Sequence, residues 1–431
     1  MRKLWIIFPY MIFYAATVHA VPFMAMDARA MAMGGTGVAS ADFHNAPLYN
    51  PALLGAPSKT NVFALGVPFS ARFADPNDLQ KALTDFKSND YQGKFTLASS
   101  NFDTALNAYS VTPSVANLNT LVAAKSNLAS AILGLNNGFR SFSDKPAEIN
   151  ESLNAVLSIA GHHWGAALTV GEWAAGGLVG HYAKSDADTL DAIVNSLNQW
   201  DNTATGTLPT LVNFTSPQMQ SSVALRGVMV IESGIAFGKK QNVGDEDIYW
   251  GVTPKVQQIN SFDALFSGAT LGTVGGTATD YLKQNVKKQN GFNLDTGVGY
   301  IYERNWRVGA TIKNLLPMTY KTALNNDIKI VPALRIGGAY QTPRLTGTLD
   351  LDITENDPAG IGDKSRYLAI GGEVDVWIVQ IRAGARTNLS NTRMSSFTAG
   401  LGLNLWLLHA DVGAMVGSNE LAAAAQLGMN F

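Results

Sequence analysis

The feature that most limits what this chain can fold into is an alternation of period two that runs, with few breaks, from about residue 292 to the last residue. In "FNLDTGVGYIYE", Phe292, Leu294, Val298, Tyr300 and Tyr302 share one face, and Asn293, Asp295, Gly297, Gly299 and Glu303 share the other. Successive side chains of a β-strand point to opposite sides, so this is a strand pattern. It recurs in "WRVGATIK", "TLDLDI", "YLAIGGEVDV", "VQIRAGAR", "FTAGLGLNL" and "LHADVGAMV". On periodicity alone, a half-buried strand of a soluble sandwich reads the same way. Two features favour a membrane barrel instead. The strands reach about 10 residues or more, enough to cross a bilayer at a tilt, where soluble strands usually have 5–6. Their polar face also mixes glycine with charges of both signs, as the inside of a transmembrane barrel does.

Composition agrees. Only 15% of the 431 residues are charged and 46% are hydrophobic, against roughly 25% charged in an ordinary soluble domain. Beyond the N-terminus no stretch approaches the ~18 unbroken apolar residues of a spanning helix. The first 20 residues, "MRKLWIIFPYMIFYAATVHA", carry Arg2 and Lys3, then an apolar run, then the small-residue site Val18-His19-Ala20. That is the form of a secretory signal peptide cleaved after Ala20; an uncleaved anchor is the alternative, but the apolar run is short for a span. Cleavage takes the formal net charge from −2 to −4, with 29 basic side chains against 33 acidic ones, which leaves no polyanion-binding surface and no expectation of a nucleic-acid partner. The chain has no cysteine, which excludes a lipid-bearing N-terminal Cys and any disulfide framework.

Fourteen candidate strands lie near 61–73, 162–173, 176–184, 222–238, 247–260, 292–304, 305–316, 331–342, 344–355, 366–377, 378–388, 396–405, 407–417 and 421–431. Long and short connections mostly alternate, the asymmetry of outer-membrane barrels with long external loops and short periplasmic turns. Trp173, Trp306, Trp377 and Trp406 are placed by this count at short reversals, where a periplasmic aromatic girdle belongs. The chain ends in "AAQLGMNF", with Leu427, Met429 and Phe431 on one face. This resembles the C-terminal strand signal read by the bacterial barrel-assembly machinery. Helical periodicity appears in "NLNTLVAAKSNLASAILGLNN" and "DADTLDAIVNSLNQW", with further helices expected at 78–87 and 146–159. On the external side these helices form either a packed cap or a gate or docking surface.

No phosphate-binding loop, dinucleotide fingerprint, HExxH or nucleophile elbow is present, so no catalytic residue, metal site or cofactor is expected. His162 and His163, read as neighbours in one strand, would point to opposite faces and make a poor metal clamp. The lumen is expected to carry Arg307, Lys313, Arg335, Arg382 and Arg386 against Asp295, Glu303, Asp350, Asp352, Glu373, Asp375 and Asp411. Mixed signs point to mutual pairing; an open ion pore more often shows rings of one sign. Side chains alone cannot fill a barrel of fourteen strands, so a plug is required.

The segment "ARAMAMGGTGVASADFHNAPLYNPALL", residues 28–54, followed by fourteen strands ending in Phe, resembles the FadL-like superfamily of outer-membrane barrels, which includes long-chain fatty acid and aromatic-hydrocarbon transporters. The closer resemblance is to the family of plasmid conjugal-transfer TraF-like proteins, which share the "GMGGTGVAS…NPALL" opening; Ala32 stands here where Gly is commoner. The resemblance implies a hatch at about 21–58, built on Gly34, Gly35, Gly37, Asn50, Pro51 and Ala52. It also implies a hydrophobic ligand that leaves through a gap in the wall near the third strand. Gly176, Gly177 and Gly180 are the candidates for that gap, since strand glycines mark bulges and bends. The expected organisation is therefore an all-β membrane protein: signal peptide 1–20, hatch 21–58, and a barrel of about fourteen antiparallel strands over 59–431 with helical inserts near 76–160 and 185–220. Its expected surroundings are outer-membrane lipid, the assembly machinery and a small hydrophobic ligand. The alternative is a non-transporting component that docks partners in conjugation or secretion.

Overall fold

The computed structural model describes residues 23–56, 63–200, 220–244, 246–267 and 285–431. The signal peptide and its cleavage site lie outside these residues. The strands are β1 (Phe63–Ala74), β2 (Ala147–Ala160), β3 (Trp164–His181), β4 (Ser222–Val243), β5 (Glu246–Ser267), β6 (Val286–Tyr302), β7 (Trp306–Lys313), β8 (Met318–Lys321), β9 (Asp327–Ile330), β10 (Ala333–Gln341), β11 (Leu345–Asp352), β12 (Tyr367–Val376), β13 (Val379–Asn388), β14 (Ser395–Leu405), β15 (Leu408–Gly417) and β16 (Glu420–Asn430). All but β8 and β9 close into one antiparallel barrel, in the order β1-β16-β15-β14-β13-β12-β11-β10-β7-β6-β5-β4-β3-β2. The seam is sealed by β1 and β16, paired from Ala64–Asn430 to Ala74–Glu420. Closure matters because a sheet edge in hydrocarbon leaves backbone groups without partners.

The alternation has its expected consequence. Val67, Phe69 and Phe73 of β1 and Val412, Val416, Leu421 and Leu427 of β15 and β16 are exposed on the outer wall, while Asp411, Glu420 and Gln426 are buried inside. None of the described helices is long and apolar enough to cross a membrane; the strands do so.

The count of fourteen strands is right, but two errors cancel in it. The helix expected at 146–159 is instead strand β2 (Ala147–Ala160). Its apolar residues fit both periods, and pairing with β1 and β3 decides. Residues 162–173 and 176–184, read as two strands, are the single strand β3, with Ala174 and Ala175 inside an unbroken ladder to β2 and β4. Trp173 is therefore not at a turn; it lies mid-strand, buried in the lumen. Trp164 and Trp250 take its place at the short-turn end, packed through Phe237. With Trp306, Trp377 and Trp406 they form the girdle, Trp377 and Trp406 being 92% and 100% exposed. His162 and His163 are likewise in the exposed β2–β3 turn, their rings 4.2 Å apart, because the strand ends before them. Glu303 is an exposed turn residue and not a lumen charge.

Residues 23–56 lie inside the barrel as two short helices, α1 (Ala28–Ala32) and α2 (Ala46–Tyr49), and the 3-10 helix Pro51–Gly55. At the long-loop end, α3 (Leu79–Ser88), α4 (Tyr91–Val111), α5 (Val115–Phe142) and α6 (Lys184–Gln199) form the helical insert. α4, α5 and α6 share a core of Phe102, Leu121, Leu128, Ile132, Leu190 and Leu197. The first insert thus ends at Phe142 and not near 160, since β2 follows it; residues 201–219 of the second lie outside the described residues.

Candidate functional site

The hatch is a chain of caps and turns. The Asp27 carboxylate caps α1 by accepting from the Ala30 amide at 2.9 Å. Beyond α1, Gly34 and Gly35 adopt φ of 78° and 91°, a left-handed region that costs glycine little. The Tyr49 hydroxyl accepts from the Met26 amide at 2.8 Å, and its ring lies so close to Gly37 that a Cβ there would stand 2.4 Å away. Asn50 is fully buried. Its side-chain oxygen caps the 3-10 helix through the Ala52 amide, and its amide nitrogen donates to the carbonyls of Val38 (2.9 Å) and Val298 (3.1 Å). Pro51 opens that helix, where a missing N–H costs nothing.

The wall receives this plug with a belt of inward-facing glycines. A Cβ on Gly251 would lie 2.3 Å from the Pro51 carbonyl carbon, one on Gly238 2.4 Å from the Pro51 oxygen, and one on Gly165 2.4 Å from the Leu54 oxygen. Gly371, Gly384, Gly400 and Gly413 do the same for the opposite end of the hatch, against Met33, Gly34, Ala32 and Ala28. Backbone thus touches backbone around most of the barrel. The sequence marks the polar face as rich in glycine; that these glycines seat the hatch follows only from closure of the barrel.

Ion pairs fix the rest. Arg29 of the hatch donates twice to Glu373 at 2.8 Å and once to the Ser40 carbonyl at 2.5 Å. Glu373 also accepts from Arg382 at 2.6 Å, and Arg382 reaches Asp411 at 2.6 Å. Arg335 pairs with Asp352 at 2.5 Å, holds the Gly35 carbonyl, and lies over the Phe23 ring. Gly37 and Val38 donate their amides to Asp350. Higher in the lumen, Glu420 joins Arg386 (2.7 Å) and Arg72 (2.8 Å). Lys313 lies over the rings of Phe23 and Tyr49 and 3.9 Å from the Met26 sulfur. Arg307 and Asp375 line a polar vestibule of about 630 Å³ on the periplasmic side of the hatch, with Asp42, His44, Leu53 and His409. Arg29, the hatch's main anchor, has no local signature in the sequence, because Glu373 lies 344 residues away.

Above the hatch two external segments fold inward. The loop between β11 and β12 crosses the lumen, where the Asp363 amide donates to Glu148 of β2 at 2.5 Å and a Cβ on Gly360 would strike the Arg226 carbonyl of β4 at 2.3 Å. The β8–β9 hairpin packs Tyr320, Ile328 and Ile330 against Trp173, Ala175, Val228, Val230 and Ile259, with Ala359 beside them. The cavities lined by Phe23 and Met24 beneath this cover each hold about 30 Å³, room for about one water.

Gly176, Gly177 and Gly180 do not form a gap. β3 is paired on both sides at Gly176 and Gly177, and Gly180 pairs with Val223 of β4 and bridges Ser143 ahead of β2. Gly177 instead admits the Ile361 carbonyl of the crossing loop, and Gly176 packs against Phe262 and Gly227. At the barrel's closing strand, Leu427 pairs with Val67 and Met429 with Leu65. Phe431 exchanges backbone hydrogen bonds with Phe63, the rings 5.8 Å apart. Among the described residues no group of His, Asp or Glu is placed to hold a metal.

A closed fourteen-strand barrel with an apolar exterior, an aromatic girdle and its own N-terminal segment lodged inside has the fold of a plugged outer-membrane barrel. The chain belongs to the family described as F plasmid transfer operon, TraF, protein, whose model matches residues 47–352, more than half of it. No curated protein sequence matches. Similar solved structures include a deltaS2S3 mutant of the TodX monoaromatic hydrocarbon channel (12% identity, TM-score 0.50, covering 94% of this chain and 99% of that one). The CymD monoaromatic hydrocarbon channel is another (10%, 0.50, 96% and 99%), and the toluene transporter TbuX of Ralstonia pickettii a third (13%, 0.47, 94% and 98%). At these identities the likeness concerns the fold alone.

Proposed function

We propose that this barrel passes small hydrophobic molecules across the outer membrane along the inner face of β3–β5, through a lumen that is closed at rest. The observation that carries the reading is the apolar seam there. The cluster of Trp173, Val228, Val230 and Ile259 under the external hairpin and the cluster that seats Leu53 and Leu54 of the hatch on Val156, Ala167 and Ala236 both contact Met24. A barrel built only to be filled has no need of apolar residues on this stretch of an otherwise charged lumen. The channels of similar fold support the same reading, and the periplasmic vestibule below Leu53 is the exit it requires in place of a lateral gap. The competing reading, a docking component that transports nothing, draws on the tip of the α4–α5 hairpin, where Val111 and Val115 are 83% and 77% exposed. The two separate in an uptake assay. Cells of a Gram-negative host producing the barrel should accumulate labelled toluene faster than cells without it; equal rates would overturn transport and leave docking.

A further inference from the structure

The β8–β9 hairpin occupies a place in the lumen that has the character of a ligand site. Inward-facing positions of this barrel are mostly charged, amide or glycine, yet Trp173, Ala175, Val228, Val230 and Ile259 put an apolar patch on three adjacent strands. The hairpin covers that patch with Tyr320, Ile328 and Ile330, which are at most 4% exposed. Its seat is imperfect. The Tyr320 hydroxyl, pressed against Gly291 of β6, is buried with no hydrogen-bond partner, a cost the hairpin bears only while docked. A two-stranded hairpin is marginal by itself, and Pro317 and Pro332 bracket this one with no amide to give to a ladder. Its buried polar anchor is one oxygen, Asp263 Oδ2, which accepts from the Thr322 hydroxyl (2.7 Å), the Asn326 side chain (2.7 Å) and Arg226 (3.2 Å); an exposed bond from the Gln289 side chain to the Lys321 carbonyl (3.0 Å) is a second link to the wall.

We propose that the patch Trp173–Val228–Val230–Ile259 is a binding site for a compact, uncharged apolar molecule, and that the hairpin fills it at rest as an intramolecular stand-in released from Asp263 when the ligand binds. This rests on the transport reading and adds to it where the cargo binds and what it displaces. The side chains that leave, one aromatic ring and two branched aliphatics, set the ligand's size and chemistry.

The absence of cysteine from the chain makes the test direct. A single cysteine is placed by Ile328→Cys, or by Ile330→Cys should the first variant fail to yield a heat-modifiable barrel, and a polar maleimide is added to the purified protein in nanodiscs. Labelling should be slow without ligand and rise at least about tenfold with saturating toluene, as a shift from a minor to a major open population requires. Leu97→Cys, on the exposed side of α4, should label at one rate throughout. Asp263→Ala should make the hairpin cysteine reactive without toluene. Unchanged labelling alongside toluene uptake would overturn the stand-in site and leave transport standing; unchanged labelling with no uptake would overturn both.

Discussion

Replacing Asn50 by Ala should unseat one half of the hatch while leaving the barrel wall intact. The side chain caps the 3-10 helix Pro51–Gly55 through the Ala52 amide, and losing such a cap costs about 1 kcal/mol. It is also the side chain that pairs the buried Val38 carbonyl, and leaving a buried acceptor unpaired costs about 1–3 kcal/mol. The Val298 carbonyl also loses a donor but sits in the β6–β7 sheet, so it adds little. The total, about 2–4 kcal/mol, multiplies the population of released hatch roughly 30- to 700-fold at about 1.4 kcal/mol per factor of ten. Since no strand pairing depends on Asn50, unboiled protein should still migrate as a folded barrel. In planar bilayers the wild type should be closed almost always and Asn50→Ala should open often, with faster proteolysis within residues 31–56. An unchanged opening frequency with unchanged protection would refute the assignment of Asn50 as the pin of this half.

Two further outcomes follow from the same geometry. Gly251→Val should open the channel too, because its Cβ would meet the Pro51 and Ala52 backbone at 2.3–2.5 Å, an overpacking cost of about 1–3 kcal/mol; Gly347→Ala, with nothing within 4 Å of the added carbon, should behave as wild type in the same bilayer recording. Phe431→Ala keeps the backbone exchange with Phe63 but removes the terminal ring, so the heat-modifiable barrel recovered from outer membranes should fall while protein refolded in detergent stays as stable; equal recovery would exclude Phe431 as an assembly signal.

Where the sequence misled, it did so for a physical reason tied to function. Alternation is legible in β6, β7 and β10–β16 because lipid lies on one side and a polar interior on the other. Along β3 that contrast disappears: Trp173 and Ala175 face the lumen while Leu168, Val170 and Leu178 face lipid. With both faces apolar, the period-two signal collapses and one strand reads as two. The place where the pattern fails is the place where the lumen is apolar, the seam assigned to the cargo. β2 fails differently, since Leu153, Val156 and Leu157 satisfy a helical spacing as well as a strand's, and only the partners β1 and β3 settle it. The pairing of Arg29 with Glu373, or of Asp263 with the hairpin, depends on closure of the sheet and has no local signature.

The hatch is held by unlike means on its two sides. α1 lies against β14, β15 and β16, and its own Arg29 is locked into the chain Glu373–Arg382–Asp411 on β12, β13 and β15. Breaking a buried ion network at one member strands the others and costs about 3–5 kcal/mol. The 3-10 helix lies against β3–β6, nearly opposite in the barrel order, on a glycine surface that offers shape and few hydrogen bonds beyond those of Asn50. The strong anchor is therefore remote from the apolar seam and the weak one lies at its foot. On the transport reading proposed above, release of the 3-10 helix alone would connect the seam to the vestibule without disturbing Arg29, so the hatch would yield at one side and remain attached at the other. That asymmetry is what a reusable plug requires, because a segment still tethered on the β12–β15 side returns to its seat by an intramolecular step.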